Sequence, residues 1–285
     1  MKEANKVLQT AIADAKQGCY YKAKAFEWNN AVLGTITDAS WAGETAVVED
    51  KVFPRKSQMG RVTVLADPKL WDGGSCEFHV IGWKSTLIHR TCRSTMHAET
   101  QALCAGVGMG HKVRTAIAEC SGLRDDDNRE ESCARAMKHV WLTDCESLHS
   151  FLVNPVAAPV EDKRLEIDLL DLRQILWEDW LGNPKDEITE DQCDKCIWID
   201  TSTMIADPLT KAMKSDRLDQ AMTSCWLDLE ATAESQMSKL MKQQSRAKSK
   251  EAKSSPKVKK VNFDDSHQFD ANGDAGDVDA VDSAT

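Results

Sequence analysis

The sequence predicts an α/β domain with a mixed five-stranded sheet flanked by helices. Three observations predict it. The segments 33–38, 61–66 and 77–83 alternate in polarity or set β-branched residues among apolar ones, as strands do. From Ser94 the apolar positions change to helical spacing. Two short apolar runs, at 139–143 (HVWLT) and 196–199 (CIWI), then alternate with amphipathic helical segments, the order of an α/β domain.

Taken in order, residues 1–18 carry Val7, Ala11 and Ala15 at helical spacing and predict a helix. The first strand is 33–38 and ends at Asp38. Residues 44–58 are a charged connection. The second strand is 61–66, and Asp67-Pro68 with Asp72-Gly73-Gly74 turns the chain into the third, 77–83. Short connections make these three an antiparallel meander. Ser94 is a suitable N-cap for the long helix that follows. Gly106, Gly108 and Gly110 are poor helix formers, so that helix should pack closely there. Residues 121–135 are a polar loop. The run 139–143 has no polar alternation and predicts a fourth strand buried on both faces. A short helix at 145–152 is closed by Asn154-Pro155. Leu165, Leu169, Leu172, Leu176 and Trp180 then share one face of a helix over 163–181, stopped by Gly182-Asn183-Pro184. After the fifth strand, 196–199, helical spacing resumes at 206–213 and continues through Leu218, Met222 and Leu229.

The domain boundaries expected are 1–30, a helical segment; 31–215, the α/β domain; 216–242, a C-terminal helix; and 243–285, a disordered tail. The tail is basic over 245–262, summing to +6, then acidic over 263–285, summing to −7. The net charge of −10 argues against a simple basic nucleic-acid binder. It does not exclude phosphate chemistry, because bound cations reverse the field of a carboxylate cluster. No apolar run reaches the ~18 residues of a membrane span, so no membrane contact is expected. The N-terminus has no apolar signal region. The ten cysteines lack the dense framework of a small secreted domain and read as reduced thiols of an intracellular protein, in cytoplasm or nucleus. Cys193 and Cys196 form the one C-x-x-C, with no second pair at zinc spacing.

Four carboxylates stand out by position. Asp38 ends the first strand, Glu99 lies early in the long helix, Asp144 follows the fourth strand, and Asp207 opens the last helical region. If the fourth strand runs parallel to the first, Asp38 and Asp144 emerge side by side. Two readings are open for each acid. Asp38 can cap a turn, Glu99 can complement the helix dipole, and Asp144 and Asp207 can be N-caps. Alternatively, the four converge on divalent cations, which prefer oxygen ligands and relieve their repulsion. Two such ions support phosphodiester hydrolysis.

The motifs T-D-A-S-W-A-G (37–43), R-K-S-Q-M-G (55–60), W-K-S (83–85), R-S-T-M-H-A-E-T-Q-A-L (93–103), T-D-C-E-S-L (143–148), K-R-L-E-I-D (163–168) and A-D-P-L-T-K (206–211) occur in this order. As an ordered set, over about residues 30–215, they resemble the ribonuclease H domain of copia-type retrotransposon polyproteins. The resemblance implies an RNase H-like fold and hydrolysis of the RNA strand of RNA–DNA hybrids with two Mg²⁺, Mn²⁺ being the other candidate ion. It makes Asp38, Glu99, Asp144 and Asp207 the catalytic and metal-binding residues. Arg55, Lys56, Lys84, Arg90 and Arg93 are candidate phosphate contacts, with solvated surface as the alternative. The opening helix is similar to the end of a polymerase connection, so a polymerase domain supplied by another chain is an expected partner. No histidine lies between His149 and His267, so the mobile histidine common in cellular enzymes of this fold has no counterpart. The alternative function is a domesticated or decayed, non-catalytic module that binds nucleic acid or protein. The tail lies outside the resemblance. Its PKVKK is a weak nuclear-import pattern.

Overall fold

A computed structural model describes residues 19–48, 51–122, 137–154, 156, 159–177, 194–211 and 213–254. The chain divides into one unit through Leu240 and a second from Met241. The expected helix at 1–18, the loop at 121–135 beyond Gly122 and the stop at 182–184 lie outside the described residues.

The sheet has strands β1 (Val32–Val48), β2 (Lys51–Ala66), β3 (Cys76–Leu87), β4 (His139–Thr143), β5 (Asp194–Trp198) and β6 (Trp226–Leu227). Their spatial order is β5-β4-β1-β2-β3-β6. β1, β2 and β3 form the expected antiparallel meander. β4 runs parallel to β1, and β5 parallel to β4. This is the mixed α/β sheet that the RNase H-like resemblance implies, with six strands rather than five. The sixth is a two-residue strand that pairs Leu227 with Cys76 and Trp226 with Glu77.

Alternation along β1 sends its residues to two different cores. Val32 and Ile36 join Val62, Val64, Phe78, Val80, Val140 and Leu142 on one face, covered by Met204, Leu218, Leu227 and Leu229. The opposite face carries Thr35, Thr37 and Ala39 and is covered by helix α1 (Thr95–Cys120). Beyond α1, Trp141 packs with α2 (Glu146–Val153) and α3 (Lys163–Trp177). Leu165, Leu169, Leu172 and Leu176 of α3 are all buried, as their spacing predicts. All five residues of β4 are buried, which accounts for its unbroken apolar run.

Close helix–sheet contact explains two of the α1 glycines. A Cβ at Gly106 would lie 2.6 Å from Thr35 Cγ2 and 2.7 Å from Thr37 Cγ2. At Gly110 it would lie 2.2 Å from the His139 ring. Gly108 meets nothing within 4 Å and is exposed. Ser94 caps α1, its side chain accepting from the His97 N–H.

Three expectations about local structure change. Residues 44–58 are not a connection, because β1 extends to Val48 and β2 starts at Lys51. The charged residues masked a hairpin in which Val47 pairs with Val52. Pro54 falls at its register shift, where a missing N–H costs no ladder bond. The helix expected from 206 onward is instead a 3₁₀ turn at Asp207–Leu209, then α4 (Asp216–Ser224), β6 and α5 (Glu230–Ser254). Cys225 breaks the run in a left-handed conformation, φ 54°. α5 continues to Ser254, beyond the boundary expected at 242. Residues 243–254 lack large apolar side chains but are rich in Gln, Lys and Ala, which favour helix without a core.

One charged cluster is fully enclosed between α1 and the parallel strands. Arg114 Nη2 donates to Asp194 Oδ1 at 2.6 Å, and the Trp141 indole N–H lies 3.1 Å from the same oxygen. His139 Nδ1 is 3.2 Å from that oxygen, while Nε2 is 2.8 Å from the Thr35 hydroxyl. A neutral His139 that donates from Nδ1 and accepts from Thr35 pairs all of these groups. Burial, despite the Asp194 hydrogen bond, lowers His139 from 6.5 to about 4. Burial alone would raise Asp194. The Arg114 charge and the His139 hydrogen bond instead hold it at about 2.

Two predictions follow from this packing. Gly110→Ala gains up to ~1 kcal/mol of helix propensity but drives a methyl into the His139 ring, at a cost of about 1–3 kcal/mol. A lower urea midpoint is the expected net result, and an unchanged or higher one would contradict the contact. In a pH titration followed by NMR, the His139 ring keeps its neutral shifts through pH 5. A midpoint near the ordinary 6.5 would contradict its enclosure.

Candidate metal centre

β1 and β4 run in the same direction with Ile36 opposite Leu142, so Asp38 and Asp144 stand side by side two residues later, just past the end of their parallel pairing. Asp38 lies within β1 opposite Gly60 of β2, where the expected strand end at 38 gives way to a longer hairpin, and is 1% exposed. Asp207 arrives from the chain beyond β5. Met204, Ile205 and Ala206 are buried and anchor that segment to the core. The 3₁₀ turn Asp207–Leu209, with Pro208 in its first turn, then directs Asp207 inward. Gly60 permits this approach, since a Cβ there would be 2.7 Å from Leu209 Cβ and 2.9 Å from Thr210 Cγ2.

One oxygen each from Asp38, Asp144 and Asp207 lies within 4.8 Å of the others, a set that could hold a metal ion. The Thr210 hydroxyl donates to Asp38, and Thr201 Oγ1 donates to Asp144 Oδ2 at 3.0 Å. Lys211 Nζ lies 2.5 Å from Asp207 Oδ1 and 3.5 Å from Asp38 Oδ1. Burial favours a neutral Lys211, but its Asp207 hydrogen bond and the nearby carboxylates raise its pKa. Burial raises Asp38, against the opposing effects of Thr210 and Lys211. Burial likewise raises Asp144, against the Thr201 hydrogen bond.

Glu99 is outside the group of three. From α1, its Oε1 accepts from the Ala39 N–H at 3.1 Å, across the strand from Asp38. Burial, then the charges of Asp38 and Asp144, push its carboxyl up to about 9. Its Oε2 is buried with no hydrogen-bond partner, as are Thr37 Oγ1 and Ser40 Oγ on either side of Asp38 and Ala39. An unpartnered buried carboxylate oxygen beside two raised acids suits an added cation, so the donor set fits a hard divalent ion.

The structure therefore gathers three of the four expected carboxylates within reach of one ion and holds Glu99 beside them. The basic candidates are more dispersed. Lys56 is half-buried and Lys84 exposed. Arg90 pairs with Asp168 at 3.1 Å, and Arg93 with Asp162 at 3.6 Å. The Arg55 side chain lies outside the described residues. Lys211 and Thr210 are close to the site but were not singled out by sequence reasoning. Their signal was their place in A-D-P-L-T-K, four and three residues after Asp207.

No protein-family model matches the chain, and no curated protein sequence matches it. Solved structures do. The N-terminal RNase H domain of a Mycobacterium tuberculosis protein, solved as a fusion with maltose-binding protein, is 15% identical with a TM-score of 0.34, covering 68% of this chain and 98% of that one. An RNase H1 isolated from compost by metagenomics, in complex with an RNA/DNA hybrid, is 14% identical with a TM-score of 0.36, covering 65% and 99%. The RNase H domain of prototype foamy virus is 14% identical with a TM-score of 0.29, covering 72% and 94%. Among the described residues, no helix is long and apolar enough to cross a membrane. The eight described cysteines are free thiols.

The raised Glu99 carboxyl has a sign that can be checked. The folded state holds a proton that the unfolded state releases above 4.5, so without metal stability falls as pH rises from 4.5 towards 9. Glu99→Gln keeps an oxygen for Ala39 and has no charge to bury. In chelator at pH 8 it should be more stable than the parent by at least about 1 kcal/mol, with the gap closing near pH 4.5. Equal urea curves at both pH values would contradict the buried position.

Proposed function

We propose that the chain is an RNase H-like hydrolase of the copia-type retrotransposon kind, cutting the RNA strand of RNA–DNA hybrids with two Mg²⁺ or Mn²⁺. The observation that carries this reading is the convergence of Asp38, Asp144 and Asp207 oxygens within 4.8 Å at the end of a parallel strand pair. The ordered motifs of the sequence support it. Asp38, Asp144 and Asp207, with Glu99 beside them, would hold the ions. Bound there, divalent metal would supply activation of water on one side of the phosphodiester and charge stabilisation of the leaving oxygen on the other.

The protein's own groups have separate tasks in this reading. The Thr210 hydroxyl fixes the Asp38 carboxylate, and Thr201 fixes Asp144, so neither must be oriented during reaction. Lys211 neutralises Asp207 and Asp38 before metal arrives and is half-exposed, so its ammonium can turn outward to a phosphate. Lys56 and Lys84 are held as phosphate contacts. Arg90 and Arg93 would first exchange Asp168 and Asp162 for phosphate.

A second reading is a non-catalytic module, and the Lys211 contacts favour it. An internal ammonium satisfies two of the carboxylates with no metal present. Two measurements separate the readings. Purified protein with labelled hybrid and Mg²⁺ should cleave the RNA strand, and Asp144→Asn should lower the rate by ~100-fold or more. Calorimetry should show Mg²⁺ or Mn²⁺ uptake that Asp38→Asn abolishes. Absence of cleavage above the Asp144→Asn control, together with no metal uptake, would reject the hydrolase.

A further inference from the structure

A groove of about 420 Å³ opens between α1 and the outer strands β2 and β3. Its walls carry Arg61, Lys84 and Lys112, and its apolar surface includes Met59, Ala102 and Met109. No carboxylate lines it, in a chain whose net charge is −10. Arg61 and Lys84 are direct cross-strand partners, so two cations stand side by side on one face. Like charges in that register destabilise a sheet unless an anion meets them. Arg61 Nη1 donates to the Ala105 carbonyl at 2.9 Å, which fixes the guanidinium against α1. None of the ion pairs among the described residues involves Lys84 or Lys112.

One end of the groove lies a single strand away from Asp38. Met59 and Gly60 pair with Ala39 and Asp38, and Ala102 lies one helical turn beyond Glu99. From Ala102 to Lys112 it follows α1 for ~15 Å. At the 3.4 Å rise of one strand, that length holds about four nucleotides. An adjoining cavity of about 140 Å³ shares Arg61 and Met109 with it.

We infer that this groove binds the sugar–phosphate backbone of one nucleic-acid strand continuing out of the metal centre, with Arg61, Lys84 and Lys112 as its phosphate contacts. The inference rests on the hydrolase reading for the substrate at the centre. It adds a second contact region, so a hybrid with a single-stranded extension binds more tightly than a blunt one. A groove of this volume admits a single backbone and not a duplex.

The test uses the full chain carrying Asp144→Asn, so that substrate persists, and fluorescence anisotropy with a blunt hybrid and the same hybrid extended by a single strand. The extension should strengthen binding by ~10-fold at low salt, and Lys84→Ala with Lys112→Ala should remove that gain. The double variant should also flatten the salt slope for the extended hybrid by about 1.4, from 0.7 per phosphate contact on a single strand. Lys84→Arg with Lys112→Arg should restore both, and circular dichroism confirms folding. No gain from the extension, or a gain that survives the alanine pair, would overturn the inference. So would equal competition by a poly-glutamate peptide, which would assign the groove to an acidic protein partner. Failure to bind either hybrid would count against the hydrolase reading. Lys84- and Lys112-dependent binding of an isolated single strand would then still uphold the groove.

Discussion

Three aspartates, two buried and Asp144 half-buried, share the end of one parallel strand pair, and the surrounding architecture has to make that tolerable. Desolvation and mutual repulsion both oppose the ionised state of such a group. The fold answers with a hydroxyl from Thr210 on Asp38, another from Thr201 on Asp144, and the ammonium of Lys211 between Asp207 and Asp38. Burial, then the charges of Asp38 and Asp144, push the Glu99 carboxyl up to about 9. The local charge balance is thus sensitive to any cation that enters, and four separate chain segments must be in place before one can.

A second buried ionic cluster stands behind the first and has a different character. Arg114, Asp194, His139, Trp141 and Thr35 connect α1 to β5, β4 and β1. The partners come from four different elements, so the cluster specifies how the helix sits on the parallel strands rather than adding much net stability. It defines the register of β4 against both neighbours. That register decides whether Asp144 emerges beside Asp38 or elsewhere.

Much of this was legible from periodicity. β4 and α3 announce themselves by an unbroken apolar run and by leucines at helical spacing. Asp144 is visible as an acid that ends its strand, and Asp38 as an acid within a strand that runs on to Val48. What was not legible has physical reasons. The extended β1–β2 hairpin was hidden by Glu44, Glu49, Asp50 and Lys51, which read as a loop although Val47 and Val52 pair within it. Asp207 looked like a helix start because Leu218, Met222 and Leu229 continue the period. The 3₁₀ turn at Asp207–Leu209, the left-handed Cys225 and a two-residue strand interrupt it. The Arg114–Asp194 pair spans 80 positions, and no local pattern encodes such a contact. Lys211 was in plain view within its motif, but its closeness to Asp38 depends on a turn that passes over Gly60.

Gly106 bears on how far apart the acids can be. It lies seven positions after Glu99, about two helical turns along the same face. With hydrogen in place of a methyl, the backbone of α1 rests directly on Thr35 and Thr37, immediately before Asp38. The depth of the helix, and through it the reach of Glu99 towards Asp38, is therefore gauged by the smallest residue in the chain. A side chain at position 106 would act as a shim. It would lift Glu99 from the sheet by a fraction of an ångström to an ångström, the scale on which a coordination shell accepts or rejects an ion.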